Sequence, residues 1–321
     1  MAAAPVAAWP AGPGLVAEPK WDGWRLALFR LPGGVVLQGR SGRDLTRYFP
    51  EIADAGMGLP VGTVLDGEVV VWAGGRTDFS LLQRRIARPV PDPPAHLVVF
   101  DILEDPGAGV VVALPLLRRR ELLERLLGAY PDPQLVLCPQ SSTAAGAADW
   151  MQWGAAAGIE GVVVKAAAGA YRFGRRDWAK FRSRHPVDLV VGGVTGSLSR
   201  PGSLLLGELV GARLVFRART GPLAARDRAE LGQLLPMLAG GGRGWPNPLP
   251  GRWVNLTSQE PMPYQQVEPV LTVEVDVDAA FDRAVGRWRH PVRYRRIRAD
   301  LLPMQLDRIF GHDWKVPPDS E

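Results

Sequence analysis

Residues 18–31 read Glu-Pro-Lys-Trp-Asp-Gly-Trp-Arg-Leu-Ala-Leu-Phe-Arg-Leu, a short polar turn followed at once by a β-like run. Gly23 allows a sharp turn of the backbone, and the run Trp24–Leu31 is predicted to be a strand. Similar β-like runs follow, separated by Gly and Pro: Gly34–Gln38, Thr63–Trp72 and His96–Leu103. This succession of short strands predicts antiparallel pairing.

Two later segments have helical character. Leu116–Leu127 carries leucines at the spacing of one helix face, and Asp149–Ala157 is also predicted to be helical. The chain returns to strand at Val162–Val164 and Trp178–Arg182. Because helices do not strictly alternate with strands, the fold class is predicted to be α+β with largely antiparallel sheets. The Ala-, Pro- and Gly-rich residues 1–14 are predicted to be loosely held.

A break between domains is predicted at Ser183-Arg-His-Pro186. Beyond it the chain offers four β-like runs and, before the last of them, one helix near Ala225–Ala239. The runs are Val187–Gly196, Ser203–Val210, Arg213–Thr220 and Leu271–Val277. Several short strands with one intervening helix are typical of a small five-stranded barrel such as the OB-fold.

Composition sets limits on the kind of protein. A chain of 321 residues is long enough for two domains, each with its own core. The hydrophobic fraction of 46% and the net charge of +5 indicate a folded globular protein. The excess of arginine favours an anionic partner such as nucleic acid, although a GC-rich genome also produces an Arg-, Ala-, Gly- and Pro-rich chain.

Several classes of site are excluded on the same grounds. The single cysteine, Cys138, cannot form an internal disulfide, and with four scattered histidines it provides no zinc-binding spacing. No apolar run approaches the 18 or more residues of a membrane span, and the N-terminus lacks the positive region of a secretory signal. The protein is therefore predicted to be cytoplasmic, with no membrane partner.

Lysine is rare in this chain. Of the 38 basic residues only Lys20, Lys165, Lys180 and Lys315 are lysines. An arginine guanidinium does not lose its proton in a protein, whereas a lysine can become an attacking amine. The retained lysines are therefore candidates for chemistry that arginine cannot perform, and Lys315 lies in a Pro-containing tail that offers no motif.

Three further segments carry candidate binding residues. Arg40-Ser-Gly-Arg43-Asp44 is an Arg-rich turn that could hold phosphate or ribose, or could simply be solvated. The strand period of two puts Asp66 and Glu68 on one face, where two carboxylates could meet a ribose or a metal ion. Phe100 lies in an apolar strand and is either a core residue or a ring that stacks on a base.

Strand parity constrains the remaining motifs. In Glu160-Gly-Val-Val-Val-Lys165, strict alternation places Glu160 and Lys165 on opposite faces unless a bulge intervenes. Glu160 is the predicted metal ligand, and Lys165 is the weaker candidate for the same pocket. Lys180 and Arg182 share a face in Trp178-Ala-Lys-Phe-Arg182, as binding of a triphosphate requires. The Arg-rich segment from Arg293 to Arg298 is either a solvated face, a nucleic-acid face or part of the site.

Taken together, in this order and with these gaps, the motifs between residues 18 and 300 resemble the ATP-dependent DNA ligases of the covalent nucleotidyltransferase superfamily. They are most similar to the small bacterial type associated with repair. The resemblance implies a nucleotidyltransferase (adenylation) domain at residues 1–184. It further implies an all-β OB-fold domain at residues 185–312, followed by a C-terminal tail at residues 313–321.

The resemblance also implies roles for individual residues. Lys20 matches the residue that becomes adenylated, and Glu18 matches the contact to the adenine edge. Arg25 and Arg40 match contacts to ribose and phosphate, and Glu68 matches a ribose or metal contact.

Further along the chain, Phe100 matches the base-stacking aromatic, Glu160 the metal-binding acid and Lys180 the lysine on the α-phosphate. Arg175 matches another phosphate contact, a role for which Arg176 competes.

Two positions depart from the family pattern. Arg182 stands where a second lysine of the Trp-x-Lys-x-Lys pattern is usual, which keeps the charge but changes its geometry. The tail motif that contains Arg298 and ends at Asp300 is followed by Leu301 where the family often has lysine. The role of the tail motif in the first reaction step is therefore left open.

The activity implied by the resemblance is the sealing of nicks in duplex DNA through a lysyl-AMP intermediate. ATP would be the adenylate donor and Mg²⁺ or Mn²⁺ the metal. The implied protein is a monomer associated with the nucleoid, with nicked duplex DNA as substrate and a Ku-type end-binding protein or a repair polymerase as partner. Two alternatives remain: an RNA ligase or capping-type nucleotidyltransferase, and a non-catalytic nucleic-acid-binding OB protein.

Overall fold

The computed structural model of this chain describes residues 1–6, 13–88, 90–211, 213–238, 245–254 and 260–308. The chain divides into two compact units, Met1–Ser183 and Arg184–Glu321. The residues predicted to form a C-terminal tail, 313–321, lie outside the described ranges. No helix in these ranges is both long enough and apolar enough to cross a membrane.

The first unit is a mixed α+β structure. Its strands, β1 to β11, are Ala3–Pro5, Leu15–Trp21, Trp24–Leu31, Gly34–Gly39, Thr63–Ala73, Arg76–Thr77, Ala95–Asp105, Gly109–Val110, Leu135–Leu137, Ile159–Ala166 and Trp178–Arg182. Its helices, α1 to α4, are Pro50–Met57, Phe79–Ala87, Leu116–Ala129 and Ala144–Ala157, with a 3₁₀ turn at Thr46–Tyr48.

Two sheets organise this unit. The larger has the order β4-β3-β5-β7-β8, with β6 paired to β5 and β9 paired in parallel to β7. The smaller has the order β1-β11-β10-β2. Apart from β9 and β1, each of which is parallel to its neighbour, the paired strands in both sheets are antiparallel. The predicted α+β class with largely antiparallel sheets is therefore confirmed.

Alternation along the strands accounts for the core of the first unit. Leu26 and Leu28 in β3, Leu65 in β5 and Leu97 in β7 are at most 1% exposed and form one apolar cluster. Leu123 in α3 packs into the same cluster, as the helix-face pattern predicts.

The N-terminal residues differ from expectation. Residues 1–14 were expected to be loosely held, but Ala3–Pro5 forms strand β1 and pairs in parallel with Trp178–Lys180 of β11. The backbone N–H groups of Ala2 and Val6 donate to the carbonyls of Arg175 and Lys180, at 2.8 and 3.1 Å. β1 is the edge strand of the smaller sheet and pairs with β11. Composition alone does not show this backbone pairing.

In the described residues the second unit contains one coiled six-stranded sheet and a separate two-stranded sheet formed by its sixth and seventh strands. Its strands, β12 to β19, are Arg184–Ser197, Arg200–Val210, Arg213–Arg219, Gln265–Gln266, Thr272–Asp278, Phe281–Asp282, Arg287–Trp288 and Arg293–Ile297. Its helices are α5 (Ala225–Leu234) and α6 (Gly251–Val254), with 3₁₀ turns at Leu235–Leu238 and Pro303–Arg308.

The sheet of the second unit curls towards a barrel. Its order is β14-β13-β12-β16-β19, with β15 paired to β12. Register shifts in the β12–β13, β13–β14 and β16–β19 pairs increase the local twist. The two edges meet where Thr220 bridges Val292 in parallel. Because the edges join in this way around the apolar core, the predicted OB-type architecture is confirmed.

Candidate active site

A cavity of about 890 Å³ in the first unit is lined by side chains from both of its sheets. Nine of the candidate residues named in the sequence analysis line it: Glu18, Lys20, Arg25, Arg40, Glu68, Phe100, Lys165, Arg176 and Lys180. These residues lie between positions 18 and 180 of the sequence, so the fold has brought the motifs to one place.

Gly23 is required at the turn that precedes β3. A Cβ atom at this position would lie 2.1 Å from the carbonyl oxygen of Val69 in β5. The chain can therefore pass this close to β5 only with glycine. The turn places Lys20 at the end of β2 and Arg25 at the start of β3, both at the cavity wall.

The Lys20 side chain is 19% exposed, and its Nζ donates to Oε2 of Glu160, which is 2% exposed. The Arg182 guanidinium approaches the same carboxylate oxygen at 3.8 Å. Glu160 therefore holds the Lys20 ammonium at the cavity and balances the charge of two neighbouring cations.

Strict alternation does not hold in β10, because the strand contains the bulge that the sequence analysis gave as the exception. Its register against β2 shifts between Ile159 and Gly161. Gly161 has φ +148°, and a Cβ there would lie 2.1 Å from the carbonyl oxygen of Phe181. The extra residue reverses the alternation, so that Glu160 contacts Lys20 while Lys165 also lines the cavity. The glycine inside a strand pattern was the signal that could have indicated the bulge.

Lys165 and Glu18 form a buried ion pair. Lys165 Nζ lies 2.6 Å from Glu18 Oε2, and the two side chains are 1% and 2% exposed. Gln140 Nε2 donates to the other Glu18 oxygen at 3.0 Å. Burial raises the pKa of Glu18, while the nearby Lys165 ammonium acts against this rise. The pair thus fixes the Glu18 carboxylate, for which the family resemblance implies a contact to the adenine edge.

Aromatic rings surround this ion pair. Lys165 Nζ lies 4.5 Å from the centre of the Phe100 ring and 4.1 Å from that of Trp178. The two rings meet edge to face with centres 5.8 Å apart. Cations at these distances are attracted to ring faces, so the lysine is held by aromatic rings as well as by its carboxylate partner.

Arg25 is engaged mainly by protein groups. Its Nε donates to Asp66 Oδ1 at 3.0 Å and its Nη2 donates to Asp66 Oδ2 and to the Tyr171 hydroxyl. Its Nη1 donates to the carbonyl of Met1. Within the described ranges these contacts use four of the five guanidinium N–H groups, so one is available to a ligand there. Sequence reasoning did not identify Tyr171 or Met1, because neither belongs to a recognisable motif.

Glu68 lines the cavity opposite Arg25 in the β3–β5 register. Burial raises the pKa of Glu68 to about 8, with Lys20 and Arg25 acting in the opposite direction. In the described residues no group of three His, Cys, Asp or Glu side chains forms a ready-made metal site. Glu68 and Glu160 are carboxylates, the ligand type that Mg²⁺ takes from proteins while keeping water or phosphate ligands.

Lys180 and the arginines give the cavity its positive charge. Burial lowers the pKa of Lys180, and Arg182, Lys20 and Arg40 lower it further. Of the two competing arginines, Arg176 lines the cavity and Arg175 is not among the lining residues. A site that concentrates cations in this way is suited to a polyphosphate.

Arg298 lies in the second unit. Its Nη1 donates to Asp188 at 2.7 Å, and its Nε and Nη2 donate to Asp300, both at 2.9 Å. The structure therefore places it in an ion-pair network of its own unit.

The comparisons with known proteins agree with the motifs. The family described as the ATP dependent DNA ligase domain matches residues 9–182. DNA ligase C1 of Mycolicibacterium smegmatis is 33% identical over 92% of this chain and 89% of its own length. DNA ligase C of Mycobacterium tuberculosis is 30% identical over 89% of this chain and 86% of its own length.

Longer relatives and solved structures are also similar. The multifunctional non-homologous end joining DNA repair protein LigD of Mycobacterium tuberculosis is 31% identical over 91% of this chain, but over only 37% of its own length. A solved structure of a Lig E DNA ligase, covering 89% of this chain and 93% of that one, has a TM-score of 0.53 at 14% identity. At that identity the likeness concerns the fold.

Proposed function

This chain belongs to the family of ATP-dependent DNA ligases, and we propose that Lys20 is the residue on which its adenylate intermediate forms. The observation that carries this proposal is the placement of Lys20 beside Glu160 at a cation-rich cavity. Lys20, Lys165 and Lys180 all contribute to the cavity wall, but Lys165 is buried in an ion pair. Lys180 is two residues from Arg182 on the same strand, so the two cations share a face, which suits a phosphate contact.

In the first step, the Lys20 ammonium first releases a proton to solvent, and its Nζ then attacks the α-phosphorus of ATP and loses a second proton to solvent as the phosphoramidate forms. A P–N bond forms to AMP, the bond to the β-phosphate oxygen breaks, and pyrophosphate leaves. Lys180, Arg40 and Arg176 supply positive charge to the phosphates, so their contribution is positioning and charge neutralisation. Glu160 orients the amine before the attack.

The base and ribose have their own candidate contacts. The ring of Phe100 lies at the cavity wall, where it can stack on the adenine base. Glu18, fixed by Lys165, offers carboxylate oxygens to the base edge. Arg25 retains one N–H for ribose or phosphate, and Glu68 is the matching acid on the facing strand.

Glu68 and Glu160 would hold the divalent ion that the family uses, Mg²⁺ or Mn²⁺. When bound, such an ion neutralises phosphate charge. Mg²⁺ is commonly bound by one or two carboxylates together with substrate phosphates, and Glu68 at the cavity wall and Glu160 beside Lys20 are carboxylates of this type.

In the following steps the 5′-phosphate of a nick attacks the lysyl-AMP phosphorus and takes the AMP. The adjacent 3′-hydroxyl then displaces AMP and closes the strand. The chain is proposed to act as a nucleoid-associated monomer in DNA repair, with a Ku-type end-binding protein or a repair polymerase as partner. The LigD relative, which is named for end joining and repair, supports the role in DNA repair.

The proposal is tested by incubating the protein with α-labelled ATP and Mg²⁺. We expect acid-labile label on the wild type, on Lys315→Arg as a matched lysine control, and none on Lys20→Ala. Label that persists on Lys20→Ala would overturn the assignment of the nucleophile. Nicked DNA and nicked RNA substrates, each with ATP or GTP, distinguish DNA sealing from an RNA ligase or capping-type activity.

A further inference from the structure

The loop between β10 and β11 carries an exposed aromatic ring. Residues 171–177 read Tyr-Arg-Phe-Gly-Arg-Arg-Asp. Phe173 is 67% exposed, the highest exposure among the large exposed aromatic side chains in the described part of the chain. A phenylalanine is costly to leave in water, and nothing in the nucleotide site uses this one.

The loop is rigidly attached at both ends. The buried Tyr171 donates its hydroxyl to Asp66 at 2.8 Å, and its backbone N–H donates to the Val112 carbonyl at 2.8 Å. On the other side, the Ala2 N–H donates to the carbonyl of Arg175, also at 2.8 Å. The Phe173 ring meets the Tyr171 ring edge to face with centres 5.1 Å apart. The exposed ring is therefore presented on a fixed support.

Positive charge flanks the ring on both sides. Arg172 precedes it and pairs with Asp177 of the same loop at 2.9 Å. Arg175 and Arg176 follow it after Gly174, which has φ +72°. All three arginines are exposed at the surface, and Arg176 also lines the cavity that holds Lys20. The loop thus lies beside the place where AMP is transferred to a DNA end.

We propose that Phe173 and its flanking arginines bind the sugar–phosphate backbone of the duplex beside the nick. The proposal rests on the proposed function of the Lys20 site. A DNA strand alternates apolar deoxyribose faces with anionic phosphates, and this loop alternates cations with an apolar ring. The ring packs on a deoxyribose while the guanidinium groups contact the phosphates on either side. Such contacts carry no base sequence information, which suits an enzyme that must seal any nick.

The test separates the DNA contact from the adenylation chemistry. Phe173→Ala should leave Lys20 labelling by α-labelled ATP unchanged and weaken binding of a nicked duplex by about tenfold. Phe173→Trp should bind as tightly as the wild type. Tyr130→Ala, which removes the other large exposed aromatic at 43% exposure, is the matched control and should have no effect.

Salt dependence gives a second readout. Phe173→Ala should leave the slope of log Kd against log salt unchanged, whereas Arg175→Gln should reduce it by about 0.9 for one lost phosphate contact. Binding of nicked DNA by Phe173→Ala within twofold of the wild type would overturn the proposal. That result would leave Lys20 labelling intact, so it is distinguishable from failure of the proposed function.

Discussion

Replacing Lys165 with methionine removes one side of the buried ion pair with Glu18. The two side chains are 1% and 2% exposed, and their charged atoms are 2.6 Å apart. Methionine preserves most of the apolar stem but leaves the Glu18 carboxylate without its cation. Removing one partner of a buried pair typically costs about 3–5 kcal/mol. For a unit of 183 residues, this corresponds to a fall of about 6–20 °C in its melting temperature.

The pH dependence of this loss has a definite sign. Burial raises the pKa of Glu18, and loss of the cation raises it further in the variant. Below the pKa of an unfolded glutamate, about 4.3, Glu18 is protonated in both states and the variant loses little from the missing charge. As the pH rises, the folded variant retains a proton that the unfolded chain releases, so its stability falls. The difference from the wild type should be small near pH 4 and large near pH 8.

The assay is hydrogen exchange of the β2 and β10 amides during thermal unfolding, because these strands report on the first unit alone. Arg118→Met, which breaks an exposed pair with Glu121, is the control and should cost at most about 0.5 kcal/mol. The double variant Glu18→Gln with Lys165→Met should recover part of the loss. A Lys165→Met protein within about 1 kcal/mol of wild type at pH 8 would refute the ion-pair reasoning.

Two further predictions concern the backbone bulge and the acid opposite Arg25. Gly161→Ala should destabilise the first unit and reduce Lys20 labelling by at least tenfold, because its Cβ would lie 2.1 Å from the carbonyl oxygen of Phe181. The control Gly14→Ala, at a position with positive φ but open space, should lower the free energy of unfolding by only about 1 kcal/mol. Equal Lys20 labelling of the two variants would contradict this prediction. Because the pKa of Glu68 is raised to about 8, the metal-free protein should lose stability as the pH rises from about 4.5 to 8. Glu68→Gln should reduce that slope in urea unfolding, and an unchanged slope would show that Glu68 is not the cause.

Local pattern was sufficient to predict much of the fold. Strands β3, β5 and β7 and helix α3 follow from alternation and from leucine spacing, and the structure confirms them. It was not sufficient for β1, because Ala3–Pro5 is ordered by pairing with a strand more than 170 residues away. Long-range backbone pairing leaves no periodic signal when the strand has only three residues.

The same limit applies to the site. Glu18, Lys20, Glu68 and Lys180 could be placed from short motifs, whose roles remain predictions. The partners of the site residues could not be placed in this way, because these partners meet only in the folded unit. Examples are the contacts of Asp66 with Tyr171 and of Glu18 with Lys165. A single bulged residue reversed the parity argument, since a shift of one residue turns each later side chain to the other face.

The two lysines that face carboxylates in this cavity are held in different ways. Lys165 is 1% exposed and contacts two aromatic rings as well as Glu18, so withdrawing it would leave a buried charge unpaired. Lys20 is 19% exposed at the end of its strand, and its partner Glu160 also has Arg182 at 3.8 Å. When Lys20 leaves, Glu160 retains a neighbouring cation, and solvent or phosphate can reach the amine. We infer that Arg182, the second cation beside Glu160, allows Lys20 to leave its ion pair, and that Lys20 is therefore the lysine suited to attack the α-phosphorus of ATP.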